Sequence, residues 1–156
     1  DSSIKFLYTN YYILLNNKKT RFVRYVKKLN SGFITQKLLK SYDIGILTVM
    51  IDRKIFKSSK FNKLYNVIGD FDYFINLSLK YKMIALQKPL AIYRIHDKNF
   101  SFIKADTHIN ELSSWIKKNI SKKKFSTFSF KAVNFLLIKL KLKFSIKKYF
   151  NFKLGV

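Results

Sequence analysis

The segment from Tyr93 to Ser101, YRIHDKNFS, groups side chains that could bind a phosphorylated ligand. Arg94 carries a planar guanidinium, which can hold two phosphate oxygens at once. His96 could ligate a metal or move a proton near neutral pH. Each residue also has a plainer explanation: a surface salt bridge for Arg94, a hydrogen-bonded structural histidine for His96, and a turn for Asn99 and Ser101. Because all four residues follow one strand-like run at fixed spacing, a ligand site is a more specific hypothesis than four separate structural roles.

An acidic pair, Asp70 and Asp72, opens the second chemically informative segment, Ile68 to Tyr81. Asp70 follows Gly69, and an aspartate at the start of a helix commonly caps it, since the carboxylate accepts from N–H groups of the first turn. The same position keeps a carboxylate ionised, so that it could take a proton from a hydroxyl group as a general base. The two interpretations are compatible.

The residues after Gly69 follow the spacing of an amphipathic helix. Its inward face is expected to contain Phe71, Phe74, Ile75, Ser78 and Leu79. Its outward face is expected to contain Asp72, Tyr73 and Asn76.

Upstream of this helix, the pattern predicts strands and short helices. Ile4 to Leu15 and Arg21 to Val26 are expected to form two strands around a turn. Thr35 is expected to cap a short helix that runs through Ser41. The apolar run Asp43 to Ile51 predicts a buried strand. A further helix is expected to start over Asp52 to Lys57.

Downstream, strands are expected over Met83 to Leu86 and Leu90 to Ile95. Pro89, the only proline, lies between them and belongs at a sheet edge or a turn, because it cannot donate to a ladder. Thr107 to Asn119 is expected to be helical, with one stripe formed by Ile109, Leu112 and Ile116. The predicted fold class is α/β.

The composition describes a basic globular chain. Its 156 residues are 48% hydrophobic, enough for one domain with a core, and the formal charge is +24. Such a charge suggests phosphate binding, but only four of the 32 basic residues are arginine, and no nucleic-acid-binding motif accompanies them. Much of the lysine is typical of AT-rich coding sequences. Nucleic acid is therefore disfavoured as the main partner, and an anionic membrane fits the charge better.

Several classes of site are excluded by counting. Four widely spaced glycines cannot build a P-loop or a GxGxxG turn, and two histidines do not form HExxH. There is no GxSxG elbow. Without cysteine there is no thiolate nucleophile and no disulfide, which permits a reducing cytoplasmic setting. The longest apolar runs fall far below the ~20 residues that cross a bilayer.

Five segments taken in order resemble the C-terminal half of family 2 glycosyltransferases of the GT-A fold. They are KFLYTNYYIL, LNSGFIT, YDIGILTVMIDRKIF, GDFD and YRIHDKNFS, and they span Ile4 to Ser101. The resemblance implies that residues 1–115 form the acceptor-side half of a GT-A domain. Residues 116–156 would then form a basic amphipathic tail.

The resemblance also implies roles for individual residues. Asp70 would be the general base of an inverting transfer, from a nucleotide-sugar donor to a glycan or a lipid-linked acceptor in bacterial polysaccharide assembly. Arg94 and His96 would lie near the donor phosphates, with His96 also near the metal. The acceptor would be bound by Asp72, Ser31 and Gly32.

One part of the family pattern is missing from this chain. In the family, the N-terminal nucleotide-binding half carries a DXD motif, which would supply most of the ligands of a divalent cation, Mg²⁺ or Mn²⁺. The only Asp-x-Asp here is Asp70 to Asp72, which is already assigned to the base helix. The chain alone is therefore expected to show no glycosyl transfer.

The C-terminal segment is strongly basic. Beyond Glu111 come 12 lysines and no carboxylate. Helical spacing places one apolar stripe on Phe130, Val133, Leu137, Leu140 and Phe144, and residues 126–150 are expected to lie on an anionic membrane surface. Two alternatives stay open: the stripe packs on the domain, or Ile138 to Ile146, which alternates strictly, forms a strand. The expected location is cytoplasmic, peripheral at the inner face of the membrane.

A different class of protein competes with the enzyme. The aromatics would form only a core and the lysines a solvated face, as in a noncatalytic basic module that binds RNA or an anionic membrane.

Overall fold

The computed structural model describes residues 4–15, 20–96, 99 and 104–153. It is a mixed α/β fold, which confirms the predicted class. The strands are β1 (Phe6–Leu15), β2 (Thr20–Val23), β3 (Met50–Ile51) and β4 (Ile84–Ile95). The helices are α1 (Thr35–Lys40), α2 (Arg53–Ser58), α3 (Gly69–Ser78), α4 (Ala105–Ile120) and α5 (Lys131–Lys153), with 3-10 turns at Ile46–Thr48 and Lys123–Phe125.

The sheet is mixed and centres on β1. β4 runs parallel to β1 along almost its whole length, from Leu7 opposite Ile84 to Leu15 opposite Ile95. β2 pairs antiparallel with the end of β1, as the predicted hairpin requires, and its turn lies outside the described residues. β3 pairs antiparallel with the start of β1. Since Leu7 pairs with both β3 and β4, the strands β2 and β3 share the edge of β1 opposite β4.

The two strands predicted around Pro89 form one strand, β4. The register of β4 against β1 shifts near Asn10, where Pro89 stands opposite. β4 lies at the edge of the sheet, and proline is tolerated at an edge because its missing N–H removes no ladder bond there.

The core lies between β1 and the helices. Phe6 and Tyr8 of β1 belong to one buried cluster with Phe74 and Ile75 of α3 and with Trp115 of α4, which is fully buried. The ring of Phe6 contacts that of Phe74 with centroids 5.4 Å apart. These large rings account for much of the apolar area that stabilises the domain.

The α4 helix continues the domain into the basic tail. Ile109, Leu112 and Ile116 are buried as their spacing predicts. The predicted boundary between the domain, residues 1–115, and the tail, residues 116–156, falls inside this helix. Beyond it, Phe125 and Phe130 contact Trp115, with ring centroids 5.9 and 5.8 Å away. The first part of the tail is therefore built into the same core.

Two predictions about the segment before α2 are wrong. Thr35 does not cap α1: the cap position is Ile34, and the Thr35 hydroxyl instead bonds Ser78 at 2.9 Å. The run Asp43 to Ile51 is mostly not a strand. At Gly45 the chain passes so close to Tyr11 that a Cβ would lie 2.7 Å from its ring, and Thr48 Oγ1 then closes a 3-10 turn onto the Gly45 carbonyl.

The α2 prediction is confirmed, since Asp52 caps the helix by accepting from the Lys54 N–H. The α3 prediction is confirmed in part. Phe71, Phe74, Ile75 and Ser78 are buried and Leu79 is partly buried. Tyr73, expected to face outward, is buried, because its hydroxyl donates to the Ser59 carbonyl at 3.0 Å and its ring stacks on Phe61.

The predicted tail stripe packs on the domain. Phe130 and Val133 are buried, and Leu137 and Leu140 pack against the core. The strand alternative over Ile138 to Ile146 is wrong, since these residues lie inside α5. The stripe assigned to a membrane therefore contacts protein, at least as far as Leu140.

Candidate functional site

A cavity of about 690 Å³ opens between the end of α1, the start of α3, α4 and the first turns of α5. Its wall is largely apolar, with Leu38, Phe71, Leu112 and Leu136 among the lining residues. Three ionisable groups that could act on a ligand also line it: Asp70, Tyr42 and His108. An apolar pocket with a few converging polar groups is the usual form of a small-molecule site.

Asp70 lies in the first turn of α3, two residues after the cap residue Ile68. Its Oδ1 accepts from the Phe71 N–H at 2.8 Å, and its Oδ2 accepts from the Tyr42 hydroxyl at 3.2 Å. Burial raises the pKa of the Asp70 carboxyl above its ordinary value, although these two hydrogen bonds oppose the rise. A raised pKa makes the carboxylate a better proton acceptor near neutral pH.

Tyr42 is a fixed donor to this carboxylate. Burial, followed by the neighbouring Asp70 charge, raises the pKa of the Tyr42 hydroxyl well above its ordinary value. The hydroxyl therefore keeps its proton and donates to Asp70 Oδ2, which leaves the second lone pair of that oxygen for a ligand.

His108, on the first turn of α4, lines the same cavity. Burial lowers the pKa of its imidazole, while the carboxylates of Glu111 and Asp70 raise it by less. The imidazole is therefore neutral at pH 7 and can donate one hydrogen bond and accept another.

The cavity also has a basic rim. Arg24, Lys40 and Lys139 line it from three separate segments of the chain. Cationic side chains around an apolar pocket suit a ligand with an anionic group, such as a phosphate.

Glu111 positions the start of α3, although sequence reasoning treated it only as the last acidic residue. Its buried carboxylate accepts from three consecutive backbone N–H groups, those of Asn66, Val67 and Ile68, at 2.8, 2.9 and 3.1 Å. This loop leads directly into Gly69 and Asp70. The available signal was its position four residues before Trp115, because residues four apart share one side of a helix.

Asp72 has a different environment from Asp70. It was expected to face outward, but its Oδ1 accepts from the indole Nε1 of Trp115 at 2.7 Å, because α4 packs over this side of α3. Asn76 Nδ2 also donates to it, at 2.9 Å. Asp72 lines a separate cleft of about 200 Å³ beside Lys80 and Lys124. Its role as an acceptor ligand stays a prediction.

The segment YRIHDKNFS is linked to the cavity residue Tyr42 through a chain of contacts that begins at its first residue, Tyr93. Tyr93 contacts Tyr11 and Tyr11 contacts Tyr25, with ring centroids 6.4 and 5.9 Å apart. The Tyr25 hydroxyl donates to the Tyr42 carbonyl at 3.3 Å, and Tyr42 reaches Asp70. A row of tyrosines thus connects the two segments that carry chemistry.

Arg94 and His96 are not among the residues that line the cavity. Arg94 is exposed near the end of β4. Asn99 closes the turn after this strand: its Oδ1 accepts from the His96 N–H at 2.5 Å, and its Nδ2 reaches the Arg94 carbonyl at 3.3 Å. The turn expected at Asn99 is therefore present, while Ser101 lies outside the described residues.

Ser31 and Gly32 hold the segment before α1 against β4. Ser31 Oγ accepts from the Ala85 N–H at 2.9 Å. Gly32 exchanges two backbone hydrogen bonds with Met83, at 2.8 and 2.9 Å, and its φ of 102° favours glycine. Neither residue lines the cavity, so their assignment to acceptor binding stays a prediction.

Within the part of the chain that the structure describes, no three His, Cys, Asp or Glu side chains cluster as metal ligands. His96 accordingly has no partner set there that fits a divalent cation.

No helix among the described residues is long and apolar enough to cross a membrane. Comparison of the chain with protein-family models, curated proteins and solved structures finds no match. The class that fold and site define is a basic, mixed α/β domain with a carboxylate-bearing cavity. The glycosyltransferase resemblance rests on the sequence segments alone and stays a prediction.

Proposed function

We propose that this chain is the acceptor-side part of an inverting family 2 glycosyltransferase, with Asp70 as the general base. The observation that carries the proposal is the setting of Asp70. Its carboxylate lies in the wall of a cavity, at the N-terminal turn of a helix, with a raised pKa and one lone pair of Oδ2 left for a ligand. A general base needs this combination of access, fixed position and tuned pKa.

In the proposed step, the acceptor hydroxyl enters the cavity and donates its proton to Asp70 Oδ2. The acceptor oxygen then forms a bond to the anomeric carbon of the donor sugar. The bond between that carbon and the nucleoside diphosphate breaks, and its electron pair leaves with the diphosphate. Attack opposite the leaving group inverts the anomeric centre.

The remaining cavity groups assist the acceptor. Tyr42 holds Asp70 in place by its hydrogen bond, and the neutral His108 can orient the acceptor hydroxyl. The basic rim of Arg24, Lys40 and Lys139 favours an acceptor that carries an anionic group. The nucleotide-sugar donor and the cation that accompanies it would be held by a nucleotide-binding half joined to this chain.

The test is Asp70→Asn in a full-length enzyme that joins this chain to such a half. The amide cannot accept the proton, so kcat should fall by about 100-fold or more, the usual contribution of a general base. The variant should fold normally, since Asn also accepts from a first-turn N–H. Transfer is measured with a radiolabelled donor, and stability by urea unfolding.

Asp106→Asn provides the matched control, because Asp106 also lies in the first turn of a helix but is exposed. It should leave kcat unchanged. Near-normal turnover by Asp70→Asn would show that Asp70 is not the base.

A further inference from the structure

The last helix has two apolar faces. At about 100° per residue, Val133, Leu137, Leu140 and Phe144 share one sector of the helix, and this inner face packs on the domain as far as Leu140. The opposite sector carries a second stripe, the outer face, formed by Phe135, Ile138, Leu142 and Ile146. These four side chains are 58, 53, 58 and 56% exposed.

Lysines separate the two faces. Lys139 and Lys143 lie on one flank and Lys141 on the other, and all three are exposed. The helix contains seven lysines and no carboxylate. Lys139 Nζ lies 4.5 Å from the centre of the Phe135 ring, so the cationic flank borders the apolar stripe directly.

Side chains 141–146 of α5 are not covered by the domain. From Lys141 to Ile146 every side chain is exposed, including Phe144 of the inner face at 36%. The outer face is also continuous with the cavity, because Phe135 and the flanking Lys139 both line the cavity. An apolar stripe beside the mouth of a basic cavity thus faces solvent.

We propose that the outer face of α5 docks on an anionic lipid bilayer. Ile138, Leu142 and Ile146 would enter the boundary between headgroups and acyl chains, while the flanking lysines extend to the level of the anionic headgroups. The face pointing into the bilayer is the one opposite the stripe that the sequence suggested. This docking does not depend on glycosyl transfer.

The charge argues against the other occupants. A second copy of the chain would bring two helices of seven lysines each together without any carboxylate between them, which is repulsive. Single-stranded RNA would suit the lysines, but bases stack on aromatic rings, and three of the four side chains of the stripe are aliphatic. An anionic bilayer complements both the apolar stripe and the lysines.

The test uses the full 156-residue chain in cosedimentation with vesicles of phosphatidylcholine alone or mixed with phosphatidylglycerol. Binding should require the anionic lipid and weaken at high salt. The double variant Ile138→Ser/Leu142→Ser should bind anionic vesicles at least about tenfold more weakly, because it removes apolar groups that enter the interface. The matched control is Met50→Ser/Leu64→Ser, which changes two side chains, each 71% exposed, elsewhere on the surface.

A second pair of variants tests the charge. Lys141→Gln/Lys143→Gln should weaken binding about 30-fold, since each lysine near an anionic surface contributes by electrostatic attraction. Lys27→Gln/Lys63→Gln, exposed lysines outside α5, should have a smaller effect. Circular dichroism verifies that every variant stays folded.

Binding that is equal for neutral and anionic vesicles would overturn the proposal. So would vesicle binding by the Ile138→Ser/Leu142→Ser variant that matches its control. A dimer in analytical ultracentrifugation that this variant dissolves would assign the outer face to a second copy. Loss of binding to a single-stranded oligonucleotide RNA by this variant, with vesicle binding intact, would assign it to RNA.

Discussion

Asp70 and Asp72 lie two residues apart on one helix and have opposite surroundings. Asp70 borders a cavity and is held by a backbone N–H and a tyrosine hydroxyl. Asp72 is held under the neighbouring helix by the Trp115 indole and by Asn76. The first carboxylate keeps one lone pair of Oδ2 for chemistry, whereas the second joins two helices. Side chains two residues apart lie about 200° apart around a helix axis, so neighbouring acids of one motif can have unrelated functions.

The largest effect on stability is expected at Glu111, which fixes the loop before both carboxylates. Glu111→Ala leaves three backbone N–H groups without their acceptor, so the free energy of unfolding should fall by about 3 kcal/mol. Urea unfolding measures the loss. Asp106→Ala, which removes an exposed acid of the same helix, should cost less than about 1 kcal/mol. Equal losses for the two variants would contradict the positioning role of Glu111.

A smaller effect is expected at Asp72. Asp72→Ala removes the acceptor of the Trp115 indole N–H and should lower the free energy of unfolding by about 1–2 kcal/mol. Trp115 is the only tryptophan, so the indole fluorescence comes from this side chain, and its emission maximum should shift.

Asp70→Ala sharpens the comparison. Asp70 lines the cavity and does not accept from the Trp115 indole, so this substitution should leave the emission maximum of Trp115 unchanged. An equal spectral shift from both variants would mean that the two carboxylates do not occupy separate environments.

The smallest effect is expected from Tyr42→Phe. The Tyr42 hydroxyl lowers the pKa of Asp70 against the larger effect of burial, so its removal should raise that pKa further. Carboxyl carbon NMR during a pH titration of the chain measures the shift. Tyr73→Phe is the control, because the Tyr73 hydroxyl bonds the Ser59 carbonyl and not a carboxylate. An unchanged Asp70 titration in Tyr42→Phe would exclude the hydrogen bond.

The same pKa has a consequence for stability. Because folding raises the pKa of Asp70, the folded chain binds this proton more tightly than the unfolded chain. The stabilisation is complete below the unfolded pKa of about 3.9 and is lost as pH rises through the higher folded pKa. In Tyr42→Phe this loss should extend to higher pH.

Side-chain periodicity and turn residues were enough to predict the elements that form from residues close together in the sequence. The hairpin of β1 and β2, the start of α2, the buried stripe of α4 and most of the inward face of α3 follow from side-chain periodicity and turn residues. The segment Asp43 to Ile51 was misjudged because its apolar composition suits a strand, while the close approach of Gly45 to Tyr11 is decided by a distant part of the chain.

The last helix shows how one pattern can fit two structures. In Ile138 to Ile146 every second residue is apolar, as in a strand with one buried face. In a helix, residues two apart lie about 200° around the axis, so the same alternation produces two opposite apolar faces with lysines between them. Phe130, just before α5, packs against Trp115 and Phe125, and the inner face of the helix packs on the same core, which favours the helical arrangement.

The sequence by itself determined the helix that carries Asp70, the strands beside it and the basic character of the chain, because periodicity and charge are properties of neighbouring residues. Only the tertiary structure decided that Asp70 meets Tyr42 and His108 in a cavity while Asp72 meets Trp115. It also decided that Glu111 holds the loop before them. These contacts join residues 28 to 45 positions apart, and such pairings depend on how the helices pack rather than on any local pattern.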